Sequence, residues 1–130
     1  MEHIIKIYDG RIGRKDYVLG LLFYHALASV IVILLGLLLS PGESSFDLIA
    51  YVIGAFFAVF IFSLHVRRSH DLGKSGNMVF LLFIPIVNLI IAIRLLFYKG
   101  QEGVNQYGDV PARDIKFFDT IFNRTKAESK

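Results

Sequence analysis

The densest concentration of chemically capable side chains is the stretch His65-Val66-Arg67-Arg68-Ser69-His70-Asp71-Leu72-Gly73-Lys74-Ser75-Gly76. Three cations, two histidines, two hydroxyls and two glycines fall within it. Arginine grips phosphate through a planar fork of donors, and glycine lets backbone N–H groups approach an anion closely. A helix starting near Asn77 would add the positive end of its dipole. The chemistry this points to is holding a lipid phosphate or a phosphorylated ligand, with Arg67, Arg68, His70, Lys74 and Ser75 as the binding groups. A plainer reading has the arginines facing bulk anionic lipid while Asp71 forms a structural polar pair with one of them. A second basic cluster, Gly10-Arg11-Ile12-Gly13-Arg14-Lys15-Asp16-Tyr17, brings Arg11, Arg14 and Lys15 toward the same headgroup. Each basic residue beside an anionic membrane contributes about 1 kcal/mol of attraction.

Other chemistries fit less well. Gly73-Lys74-Ser75 imitates the end of a phosphate-binding loop, but that loop needs a glycine five positions before Gly73, where Arg68 stands. His65, His70 and Asp71 are a thin basis for a metal site, so no metal and no cofactor is expected. The chain has no cysteine, which excludes disulfides and thiolate catalysis. An enzyme acting on a lipid phosphate would use His70 as general base, Asp71 to orient it, and Arg67 with Arg68 to stabilise phosphoryl charge. That single acid–base pair lacks a second carboxylate, and no catalytic residue is assigned. His25, about two turns into an apolar run, reads as a hydrogen-bonded bundle residue rather than a proton relay.

These residues are positioned by an apolar frame. The chain has 130 residues, 55% of them apolar and 19% charged, with a mean hydropathy of +0.57. Soluble chains run nearer 45–50% apolar and about 25% charged. A soluble enzyme, a disordered chain and a repeat solenoid are excluded. Two runs, Tyr17–Leu39 and Leu48–Val66, carry no formal charge. A hydrocarbon core of about 30 Å needs about 20 residues of helix, so both are expected to span. The first is too long for a signal peptide and lacks a small-residue cleavage site. Lys6, Arg11, Arg14 and Lys15 precede it, Arg67, Arg68 and Lys74 follow the second, and residues 40–47 hold no lysine or arginine. The positive-inside rule therefore places the N-terminus and the second loop in the cytoplasm. With no tryptophan, Tyr17, Tyr51 and Tyr98 supply the interfacial belt.

The third run, Met78–Tyr98, contains Pro85 and Asn88 and ends close after Arg94, which is placed to snorkel to the interface. It is either a proline-kinked crossing or a re-entrant hairpin turning at Pro85–Asn88. The hairpin would require protein to cover its turn. Residues 1–111 form one helical membrane domain, and 112–130 an amphipathic segment with a polar tail. In that segment Ile115, Phe118, Ile121 and Phe122 fall on one helical stripe suited to the bilayer or a partner. The expected fold is all-α and polytopic: two full transmembrane helices, a third proline-broken span and a short amphipathic C-terminal helix. The expected partners are membrane lipids, anionic ones in particular, and a homo-oligomer or hetero-complex formed through the spans and that stripe. No nucleic acid is expected.

Four motifs occur in order: Gly10-Arg11-x-x-Arg14-x-x-Tyr17, Arg67-Arg68-x-His70-Asp71-x-Gly73-Lys74-Ser75-Gly76, Ile84-Pro85-Ile86-Val87, and Gly103-x-Asn105-x-Tyr107-Gly108. Together they resemble the small bacterial inner-membrane proteins grouped as domain of unknown function 805, over about residues 10 to 111. The family usually carries tryptophans where this chain has Asn77 and Met78, and often glycine in place of Asn88. The resemblance implies a bacterial inner-membrane location and supplies no activity. The expected function is a non-enzymatic module that binds lipid headgroups or serves as an accessory subunit of a membrane assembly. The alternatives are an oligomeric transport or channel component, drawing on His25, Ser29, Ser63, His65, Asn88 and Arg94, and the lipid-phosphate enzyme described above.

Overall fold

The computed structural model describes residues 7–39, 41–42, 44–111 and 119. Four helical elements lie among them: α1, Arg14–Leu38; α2, Ser44–Asp71; a 3-10 helix, Gly76–Phe83; and α3, Pro85–Phe97. No strand is present among the described residues beyond one isolated bridge between Asn105 and Gly108. The stripe Ile115, Phe118, Ile121 and Phe122 lies outside the described residues.

Helices α1 and α2 are 25 and 28 residues long, and both are apolar and long enough to cross a bilayer. Leu39 adopts an extended conformation where α1 stops, and Gly42 turns the chain at φ 93°, a left-handed conformation that glycine adopts without strain. The two helices run antiparallel. The Tyr17 ring meets His65 edge-on at 5.6 Å, and Tyr24 stacks on Phe60 at 5.5 Å. Between these levels Gly20 lets the helices close on each other. A Cβ there would lie 2.9 Å from Leu64 Cδ1. Small residues at such crossings are how apolar helices approach when no water is available to drive them together. The core is Ile12, Tyr17, Tyr24, Phe57, Leu64, Ile91 and Leu95.

Helix α2 continues past Val66, where the apolar run ends. Arg67, Arg68 and His70, expected in a loop, occupy its final turn. The helix persists because the Arg67 and Arg68 side chains are buried against the rest of the fold rather than released to solvent. Basic residues at a helix C-terminus also suit its dipole.

The third apolar run is not one helix. Its first part is 3-10, its second α, and Ile84 between them is extended at φ −96°, ψ 113°, as the residue before a proline prefers. At about 2.0 Å and 1.5 Å per residue the two parts reach roughly 16 and 20 Å, each short of a bilayer core of about 30 Å. Gly76 enters beside Val66 and His70, and Phe80 meets Phe62 at 5.8 Å. Phe83 reaches the level of Gly54 and Ala58, and α3 then returns until the Leu95 and Tyr98 carbonyls meet Arg68. Both ends of the run therefore lie at the same end of α2. The reversal falls at Ile84–Pro85, and Asn88 closes it by donating from Nδ2 to the Leu82 carbonyl at 2.7 Å.

Candidate functional site

Three of the four sequence motifs converge at the end of the bundle where α1 begins and α2 ends, while Ile84-Pro85-Ile86-Val87 lies at the reversal of the third run. Asp71 is the centre. Arg11 donates to its Oδ1 from Nε at 3.1 Å and Nη2 at 3.0 Å, while Arg68 Nη1 donates to Oδ2. The remaining Arg11 donors meet the carbonyls of Gly103 at 2.7 Å, Gln101 at 2.5 Å and Gly108 at 3.4 Å. The remaining Arg68 donors meet those of Leu95, at 2.8 Å, and Tyr98. Exposure of the three side chains is 1%, 0% and 4% for Arg11, Arg68 and Asp71. Burying ions costs several kcal/mol each unless geometry and further hydrogen bonds offset the lost water. Here the guanidinium forks are spent on the carboxylate and on backbone oxygens. The arrangement ties the N-terminal segment, the end of α2, the end of α3 and the 99–108 segment into one unit.

Glycines make the close approach possible. A Cβ on Gly100 would sit 2.0 Å from Asp71 Oδ2, and one on Gly73, at φ 69°, 2.3 Å from the Gln101 side chain. Gln101 N–H donates to the Asp71 carbonyl at 2.8 Å, and Ile12 N–H to that of Arg67 at 3.3 Å. Asn105 donates to the His70 carbonyl at 3.0 Å and accepts from Tyr107 N–H at 2.9 Å.

His70 does not pair with Asp71. Its Nδ1 donates to the Gly10 carbonyl at 3.1 Å, and its ring lies flat on Tyr107, with centroids 3.8 Å apart and planes 4° off parallel. Burial pushes the imidazole below its ordinary value, the Gly10 hydrogen bond and Asp9 raise it, and Arg67 lowers it again. The balance favours the neutral ring. The acid–base pair that lipid-phosphate chemistry would need is not assembled. Ser75 accepts from Asn77 N–H at 3.3 Å and so caps the 3-10 helix, while Lys74 is exposed. Arg94 lies over the Tyr98 ring at 5.7 Å. Among the described residues no three metal-ligating side chains come together.

Beside the buried cluster opens a cleft of about 1110 Å³. Residues Gly13 to Leu19 form one wall, Leu96 and residues 99–103 the other, with Val110 and Pro111 at the rim and Arg68 and Asp71 on the floor. Arg68 shares the single carboxylate of Asp71 with Arg11, which leaves that cluster one net positive charge, and Lys99 pairs with Glu102 at 2.5 Å. That leaves Arg14 and Lys15 against Asp16. Arg14 Nη1 donates to the Phe97 carbonyl at 3.1 Å. Helix α1 starts here with no side-chain cap, so its first-turn N–H groups and positive dipole end face the cleft.

Sequence reasoning singled out the cations and Asp71 as a partner for one of them, but not their backbone acceptors. Leu95, Tyr98, Gln101, Gly103 and Gly108 act through carbonyl oxygens, which leave no mark on residue type. The spacing of glycines from Gly100 to Gly108 is the signal that chain passes close to something there.

The frame is that of a small all-helical membrane-type protein, three of whose four motifs meet at one end of the bundle. The family described as Protein of unknown function (DUF805) matches residues 7–109, and the chain belongs to it. Two relatives, each called inner membrane protein YhaI, come from Escherichia coli strain K12 and Escherichia coli O157:H7. Each is 30% identical over 107 residues, covering 80% of this chain and 85% of its own. No solved structure matches.

Proposed function

We propose that the protein is an integral protein of the bacterial inner membrane whose cytoplasmic end binds the phosphate of a membrane phospholipid, anionic headgroups above all. The observation that carries this is the cleft of about 1110 Å³ lined by Arg14 and Lys15 at the uncapped start of α1 and floored by Arg68 and Asp71. Val18, Leu19 and Leu96 on its walls offer acyl chains an apolar bed continuous with the lipid-facing helices. In this reading α1 and α2 cross the bilayer and Gly76–Phe97 is a re-entrant hairpin. The segments on either side of the hairpin then remain cytoplasmic, in keeping with the lysines and arginines of both basic clusters.

The reading divides the basic residues into two groups. Arg11 and Arg68 hold the platform together, and His70 and Ser75 shape its edge. Arg14 and Lys15 meet the phosphate. Lys74, on the same face, adds attraction to the anionic surface.

Native mass spectrometry of the protein released in mild detergent tests it. Wild-type protein is expected to carry one discrete phospholipid mass, richer in anionic species than the surrounding membrane. Arg14→Gln with Lys15→Gln should cut its occupancy about tenfold or more, since two basic contacts near a membrane are worth about 2 kcal/mol. Lipid occupancy unchanged in a folded double variant overturns the reading.

A further inference from the structure

A second cavity, of about 260 Å³, lies between α2 and the 3-10 helix and shares no lining residue with the cleft. Gly54 and Ala58 on α2 leave the space, and Val79, Leu82 and Phe83 of the 3-10 helix form its other wall, with one side open along the helix surface. His65 stands at one end, and every other lining residue is apolar. His65 Nδ1 hydrogen-bonds the Ile61 carbonyl at 2.7 Å. A carbonyl only accepts, so Nδ1 carries the hydrogen and Nε2 of the neutral ring presents a bare lone pair. The Tyr17 ring, edge-on at 90° and itself 2% exposed, fixes the plane of the imidazole. Among the described residues nothing donates to Nε2.

Such a site selects its ligand by three properties. Its walls demand hydrocarbon. Its volume, somewhat below the usual range for ligand pockets of about 300–1,000 Å³, suits one alkyl tail rather than the two of a phospholipid. Its single polar atom, an acceptor in a medium without water, demands a donor, because an unmet acceptor there loses a hydrogen bond that bulk water would have supplied. Esters and ketones carry acceptors only and fail the third condition. From His65 to Gly54 is eleven residues of helix, about 16 Å at 1.5 Å per residue. That is close to the extended length of a twelve-carbon alcohol counted from its oxygen, since each bond of about 1.5 Å advances an all-trans chain by about 1.3 Å.

We infer that the slot between α2 and the 3-10 helix binds a single-tailed lipid alcohol, its hydroxyl donating to His65 Nε2 and its chain running along Gly54 and Ala58 toward Phe83. This goes beyond the headgroup reading and does not depend on it, since Arg14 and Lys15 take no part.

The test uses the full chain in phosphatidylcholine liposomes with a photoactivatable dodecanol, its diazirine at the far end of the tail. Labelling is expected on the peptides holding residues 54–62 and 79–83, and Gly54→Leu, which fills the slot, should remove it. Unlabelled dodecanol should compete better than dodecane or methyl dodecanoate by about three- to tenfold, the size of one net hydrogen bond. His65→Leu should erase that preference while leaving the alkane competition in place, and His65→Gln, which restores an acceptor, should recover it. Arg14→Gln should change none of these results. Label spread evenly over the lipid-facing residues of every helix, or equal competition by dodecanol and dodecane in the wild type, overturns the inference.

Discussion

Asp71 holds a negative charge at the C-terminal end of α2, where the helix dipole disfavours an anion. Two guanidiniums reverse that penalty, and Arg11 spends two of its N–H donors on the carboxylate and three on backbone carbonyls. Removing one partner of a buried ion pair costs about 3–5 kcal/mol, because the other charge is left uncompensated. Asp71→Asn is expected to lose that much in reversible unfolding with a denaturing detergent. Arg11→Lys should lose a comparable share, since lysine has three donors on a point charge in place of a five-donor fork. Lys15→Gln, which also removes a charge but from the surface, should stay within about 0.5 kcal/mol. Residue types thus announced which side chains were charged and where they clustered. They did not announce that Arg11 and Arg68 face inward, because their partners beyond Asp71 are backbone oxygens supplied by Leu95, Tyr98, Gln101, Gly103 and Gly108.

At the scale of elements, α1 and α2 were legible because length and uninterrupted hydropathy suffice to define a spanning helix. Their ends were less so. Apolarity stops at Val66, whereas helical hydrogen bonding continues to Asp71 once the arginines find acceptors. The third run was ambiguous for a physical reason. Proline kinks a crossing helix and breaks a hairpin equally well, and only Asn88 on the Leu82 carbonyl distinguishes them locally. That bond stands in for the backbone pairing lost at Pro85, which brings no N–H. Asn88→Leu would leave the carbonyl bare at a cost of about 1–3 kcal/mol. Amide exchange at residues 82–87 is then expected to accelerate about tenfold, since 1.4 kcal/mol is a factor of ten, with residues 57–64 of α2 unaffected.

For the whole molecule, the decisive property is that residues 10–14, 67–76 and 97–111 lie at one end, leaving the short connection between α1 and α2 at the other. The chain has no cysteine, so a single engineered cysteine reports its own side of the membrane. Ser45→Cys is expected to react with an impermeant maleimide added to intact spheroplasts. Lys15→Cys, Lys74→Cys and Lys99→Cys should react only after the membrane is opened. Reaction of Lys99→Cys from outside would mean that the third run crosses.

The hairpin also makes the bundle unequal along its length. Beside Gly54 and beyond, toward Leu38 and Ser44, only two helices stand side by side among the described residues. From that level to the arginine end there are four segments: α1, α2, the 3-10 helix and α3. In the proposed placement the protein is a wedge, broad in one leaflet and narrow in the other. Lipids flanking the narrow half must splay their chains to fill the area that the broad half claims from the opposite monolayer. A membrane already bent to favour that mismatch accommodates the molecule at lower elastic cost than a flat one.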